Sequence, residues 1–388
     1  MDALILKGGE VYDPLTKERK KRDLGVRDGI LVPPESIPHS QAYTVSVEGC
    51  LVVPGLIDYH VHLYTGCDGG VPADLLCPPS GVTTAVDGGT CGVSTFGTFK
   101  WKDVDPSITR VLGFLHVASS GLAAAAMPEN INPDYFEKEK ILELFRQHPG
   151  ILKGLKFRIS RNIAGPTGLT REPLIKALEI AQEAGFPLVV HVNDPVIPME
   201  ELAEMLRPGD VFCHMYQGHG DTILDTSGYI KPGILRARKR GVLFDASNGR
   251  GNFDFNVACP AMAQGFWPDI ISSDISPISL FRQPAVSLPW LMAKYLAFGM
   301  NLWQVLDRVT LHPARQLGLE ELGTLAEGTV ADLTLLRIEE QKVRFYDWKG
   351  QSISGSQVIV PQMTVKGGRI VYCQAGIGEV PTIRETTL

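Results

Sequence analysis

The stretch that decides the fold is "VVPGLIDYHVHLYTG", residues 52–66. An apolar run breaks at Gly55 and resumes, and two histidines follow with one residue between them. A strand turns its side chains over with period 2, so His60 and His62 share a face. Two imidazoles on one face can hold a divalent metal. The same spacing also arises by chance among core histidines with hydrogen-bonded partners. The weight of the pair therefore depends on the rest of the chain.

Downstream, apolar strands alternate with helical segments. "KEKILELFRQH" (138–148) has helical apolar spacing and stops before Pro149 and Gly150. The strand "LKGLKFRIS" follows it. "EPLIKALEIAQEAG" (172–185) has Pro near its start and Gly at its end, and leads into "PLVVHV". "MEELAEMLRPG" leads to "DVFCHMY", "PGILRARKRG" leads to "VLFDAS", and a last unit runs into "DIISSD". Repeated units of roughly 25–35 residues predict parallel strands with helical crossovers. About seven or eight such strands fit between residues 53 and 275. The fold class is α/β, and the pattern predicts a TIM (β/α)8 barrel with its chemistry at the C-terminal strand ends. A doubly wound open sheet is the alternative, disfavoured because no Gly-rich nucleotide loop follows the first strand. Both chain ends read as short strands, "ALILKGGEV", "DLGVRDGILV" and "AYTVSVEGCLVV" at one, "ADLTLLRI", "KVRFYDW" and "VIVPQMTVKGGRIVYC" at the other. They predict a small β-sandwich domain from residues 1–53 and 320–388, beside a barrel over 54–319.

Composition is that of an ordinary globular protein. The 388 residues are 44% hydrophobic and 21% charged, enough to bury a large core. The net charge of −6 argues against nucleic acid. The charged run "KERKKRD" (17–23) reads as a solvated loop between strands. Seven scattered cysteines without a CxxC pair fit free thiols in a reducing compartment. The start lacks the basic and apolar regions of a signal peptide, and no segment is long enough for a membrane span. We expect a cytoplasmic protein with a small-molecule substrate and no nucleic-acid or membrane partner.

The polar residues at strand ends carry the chemistry. His60 and His62 end the first predicted strand, Lys156 lies on the fourth, His191 ends the fifth, His214 the sixth and Asp274 the eighth. Core packing does not account for so many ligand-type residues in the one place a barrel puts its active site. Parity selects Lys156 over Lys153: Lys156, Arg158 and Ser160 face the barrel centre, while Leu155, Phe157 and Ile159 face the helices. A lysine desolvated in a barrel can hold the free amine, which adds carbon dioxide to give an anionic carbamate.

These segments resemble the metal-dependent amidohydrolase superfamily, in its dihydroorotase-like and deacetylase-like branch. The anchors are "VVPGLIDYHVH", "GVTTAVDGGT", "GLKFR", "VVHVND", "FCHMYQG", "SSDIS", "LHPARQLGL" and "GTLAEGTVADLTLL", in family order almost end to end. "KFR" and "GRGNF" (249–253) resemble the amidohydrolase/deacetylase group. The resemblance implies that His60, His62 and Asp274 hold one metal, His191 and His214 a second, and carboxylated Lys156 bridges them. Two divalent ions, usually zinc, would share a hydroxide that attacks an amide or ester carbonyl, with Asp274 moving the proton. Homo-oligomers are usual in that family.

The expected reaction is deacylation of an N-acyl or O-acyl small acid. A cyclic amidase of hydantoinase or dihydroorotase type is the alternative. Dihydroorotases usually carry Arg two residues after the second histidine, where this chain has Tyr64. A catalytically silent assembly homologue would be expected to lose ligands, and all six are present. A mononuclear deaminase would lack the strand-four lysine. Arg158, with its planar fork, and Asn248 and Arg250, after the seventh strand, are candidate substrate-binding residues. His116, at the third strand end, is a pocket or supporting candidate. His219 reads as a surface residue, and His39, His148 and His312 as structural.

Overall fold

The computed structural model describes residues 3–124, 127–374 and 377, without the side chain of His39. The expected terminal domain therefore extends beyond the described residues. Strands from both chain ends form one sheet: β1 (Ala3–Asp13), β2 (Glu18–Arg27), β3 (Ile30–Val32), β4 (Tyr43–Ser46), β5 (Leu51–Pro54), β13 (Leu333–Tyr346), β14 (Ser352–Lys366) and β15 (Arg369–Cys373). Its order is β15-β14-β13-β5-β1-β2-β3, with β4 also on β1. The register places Val52 opposite Leu335, so the two chain ends are joined directly. Leu4, Val26, Val45, Val52, Leu333 and Val365 share a core of this sheet.

Three sequence readings need correction here. The run 17–23 is not a loop, because β2 covers most of it and pairs antiparallel with β1. Its backbone is in the ladder while its charged side chains face water, where Arg19 pairs with Glu10. "AYTVSVEGCLVV" is two strands, β4 and β5, each parallel to β1. "ADLTLLRI" and "KVRFYDW" are one long strand, bulged between Glu340 and Val343.

The middle of the chain forms a parallel sheet of seven strands: β6 (Leu56–Val61), β7 (Val82–Asp87), β8 (Arg110–His116), β9 (Leu152–Arg158), β10 (Leu188–His191), β11 (Val211–Cys213) and β12 (Leu243–Asp245). Crossover helices include Lys138–Gln147, Glu172–Ala184, Met199–Met205 and Pro232–Arg240. Their amphipathic patterns explain them, and Gly185 ends the second in the left-handed region (φ 76°). Leu155 and Phe157 of β9, and Ile159 just after it, join the core containing Leu174 and Ile180 of that helix, as parity required.

The sheet curls until its edges meet. On the β12 side, Ala246 N donates to Ile270 O (3.0 Å) and Asn248 N to Ser272 O (3.2 Å). On the β6 side, Asp274 N donates to His60 O (2.6 Å) and His62 N to Ile275 O (2.9 Å). "IISSD" is not a regular strand; Ile270 makes an isolated parallel bridge to Asp245. Its serines are tied to carboxylates instead: Ser272 Oγ donates to Asp245 Oδ1 (2.7 Å), and Ser273 Oγ to Asp58.

Candidate metal centre

The predicted ligands converge where this sheet closes. β6 is irregular, its pairing with β7 slipping between Leu56 and Ile57 and again between Asp58 and Val61. Tyr59 joins an apolar cluster with Phe114 and Val211, while His60 and His62 both reach Asp274. His214 (φ 60°), Ser247 (φ 37°) and Asp274 (φ 51°) are left-handed without being glycine. Such conformations cost about 1–3 kcal/mol each and cluster at functional sites.

Hydrogen bonds fix the ring orientations. Thr90 Oγ1 donates to Asp87 Oδ2 (2.8 Å), so it accepts from His62 Nδ1 (2.7 Å). Ser247 Oγ donates to Asp245 and so accepts from His60 Nδ1 (3.0 Å). His214 Nδ1 donates to Ser247 O (2.7 Å). Each ring therefore turns an Nε2 lone pair inward. His62 Nε2 lies 3.1 Å and His60 Nε2 3.7 Å from Asp274 Oδ1. His60 Nε2 is also 3.2 Å from Lys156 Nζ, and His214 Nε2 is 2.8 Å from His191 Nδ1. His191 Nε2 is buried without a partner among the described residues. The inward Nε2 lone pairs of His60 and His62 and the Asp274 carboxylate lie close enough to share one cation, and this donor set fits a divalent metal.

Electrostatics favour the same reading. Burial holds His60, His191 and His214 below the ordinary imidazole value, His214 at about 3. Neutral imidazole is the ligating form. Burial alone would raise the Asp274 carboxyl, but its contact with His62 and the neighbouring imidazoles outweigh this and hold it well below the usual range. A second cluster, His60, Cys213 and Asp245, lies on the Nδ1 side of His60. Burial pushes the Cys213 thiol up to about 12, so it is a poor ligand. Asp245 and Ser247 orient His60.

The cluster opens into a cavity of about 580 Å³. His60, His62, Lys156, His191, Asp274, Arg158 and Arg250 line it, and His214 stands behind through its contact with His191. Arg158 is committed to a partner, since its Nη1 meets Glu129 Oε1 at 3.2 Å. Arg250 is exposed at the rim. Asn248 does not reach the cavity. It is fully buried, with Nδ2 donating to Ser272 O (3.0 Å) and Oδ1 accepting from Lys294 Nζ (2.7 Å). Asn252 takes that place, donating to Asp274 Oδ2 (3.1 Å) and accepting from Asn193 Nδ2 (2.6 Å). Sequence reading missed both, although Asn193 lies two residues past His191 and Asn252 within the quoted "GRGNF". His116 Nδ1 accepts from Ala118 N (3.0 Å) and its ring lines the cavity. His219 is not a free surface residue: Nε2 donates to Gly251 O (2.8 Å) and the ring stacks on Trp348. Tyr64 is buried against Phe99, away from the cavity.

A sequence model of the Amidohydrolase family matches residues 51–371. The chain belongs to the amidohydrolase family. Its relatives include a deacetylase of Agrobacterium fabrum, 30% identical over 84% of this chain and 80% of that protein. A deacetylase of Enterococcus faecalis is 29% identical over 95% of this chain and 98% of its own length. Among solved structures, an adenine deaminase superposes with TM-score 0.87 at 27% identity, covering 96% of this chain and 99% of that one. A dihydroorotase superposes with TM-score 0.86 at 26% identity, covering 98% and 100%. Amidohydrolases are generally metal-dependent, and these relatives support a hydrolase acting on carbon–nitrogen bonds.

Proposed function

We propose that the chain is a binuclear metal-dependent hydrolase that deacylates an N-acyl or O-acyl small acid. The convergence of His60 Nε2, His62 Nε2 and Asp274 Oδ1 on one point carries this reading. In it, the curled sheet is a (β/α)8 barrel over 54–319, closed by 270–275, and residues 1–53 and 320–388 form the composite β-sandwich domain. His60, His62 and Asp274 hold one divalent ion, His191 and His214 the other, and Lys156 carries the bridging carbamate. Two zinc ions there would supply hydroxide at neutral pH and polarise the scissile carbonyl. Asp274 takes a proton and hands it to the leaving group. Arg250 at the rim offers a fork to a substrate carboxylate. The seven free cysteines support a reducing, cytoplasmic setting, and family membership supports a homo-oligomer.

Elemental analysis of protein purified without chelators tests the centre. The expected result is about two metals per chain, falling in Lys156→Ala. About one per chain would favour a mononuclear deaminase reading. None after zinc and bicarbonate would remove the mechanism. A screen of N-acyl amino acids against O-acyl acids, hydantoins and dihydroorotate then separates deacylase from cyclic amidase.

A further inference from the structure

Asn193 is the residue whose bonding points outward to a ligand. It lies two residues past His191 and lines the same cavity. Its orientation follows from a chain of three side chains. Asp274 is a carboxylate and only accepts, so Asn252 must turn its NH2 toward it (3.1 Å). Asn252 Oδ1 is thereby aimed at Asn193, which must answer with its own NH2 (2.6 Å). This assignment leaves Asn193 Oδ1 buried, with no donor among the described residues. Buried acceptors are almost always paired, and one left unpaired carries a penalty. An acceptor in that place asks its ligand for an N–H.

We propose that Asn193 Oδ1 accepts the N–H of the scissile bond, and so makes the site selective for N-acyl amines over the matching esters. The inference rests on the hydrolase reading above and narrows its substrate class. In the reaction, water adds to the acyl carbon and the carbon–nitrogen bond breaks. The nitrogen takes its proton by way of Asp274, and the acid and the amine leave. Asn252 ties Asn193 to Asp274, so the group that holds the nitrogen and the group that protonates it share one frame. An ester oxygen has no hydrogen to offer, and its lone pair would face Oδ1. A site built to bond an N–H discriminates against analogues lacking it.

The test uses metal-loaded enzyme and a substrate pair differing only by NH against O at the scissile position. The ratio of kcat/KM, amide over ester, is measured for wild type and Asn193→Ala, with metal content and thermal midpoint recorded for each. A ratio lowered about tenfold or more, at unchanged metal content, supports the proposal. An unchanged ratio overturns it. Should Asn193→Ala lose metal, Asn193→Gln, which keeps both an acceptor and an NH2 for Asn252, decides: a ratio near wild type supports the proposal and a tenfold fall overturns it. Turnover of neither substrate by wild type overturns the hydrolase reading and this one with it.

Discussion

Lys294 is fully buried on the helix Leu288–Ala297, with Nζ 2.7 Å from Asn248 Oδ1 and 3.7 Å from the centroid of the Phe253 ring. Burial pulls its ammonium down to about 7, against the opposing charge of Asp347. The unfolded chain titrates near 10.4. Below about pH 7 both states carry the proton, and the full cost of burying the charge is present. As pH rises above 7 the folded state sheds its proton first, so stability increases toward the unfolded value. Between about pH 6 and pH 9.5 this amounts to roughly 3 kcal/mol. Lys294→Met removes that dependence and leaves Asn248 Oδ1 unpaired, at about 1–3 kcal/mol. The variant should therefore be more stable than wild type near pH 6 and less stable near pH 9.5. Urea midpoints of both proteins across that range provide the assay. A stability difference that stays constant with pH would show that Lys294 keeps its charge when folded, and the argument from burial would be wrong.

Three further outcomes are expected. A Cβ on Gly88 would lie 2.5 Å from His60 Nε2, so Gly88→Ala should displace the ring and weaken metal binding about tenfold or more by chelator competition. Unchanged affinity would mean that His60 does not ligate through Nε2. Asp274→Asn should lower kcat by about 10²–10⁴ with circular dichroism unchanged, and retention of most activity would remove its proton-transfer role. Arg250→Met should raise KM about tenfold for substrates carrying a carboxylate and leave neutral ones little changed; equal effects on both would deny it that contact.

That these residues come together was legible because each sits next to a strand whose pattern is plain, and period 2 placed Lys156 rather than Lys153 at the cavity. The β6 slips did not matter, since they leave His60 and His62 directed at one carboxylate. Long-range partners were less legible. Arg158 meets Glu129, which lies in the loop after β8 with no periodic signal of its own. Asn248 was drawn away by Lys294, 46 residues later on a helix whose apolar pattern gives no hint of a buried amine. The charged start of β2 resembles a loop because an exposed strand face needs no apolar residues once its backbone is paired. The period-2 argument applied to His191 would have found Asn193 had it been carried one step further.

The joining of β5 to β13 has a consequence for the newly made chain. Val52 finds its ladder partner Leu335 only after roughly 280 more residues have been synthesised. At about 5–20 residues per second, one edge of the β5 segment stays open for roughly 15–60 s on the ribosome. The segments of the parallel sheet emerge within that interval and can fold first. Val52, Val53 and their neighbours thus need shelter from other chains over that interval, and the strand that covers them arrives from the far side of the parallel sheet in sequence.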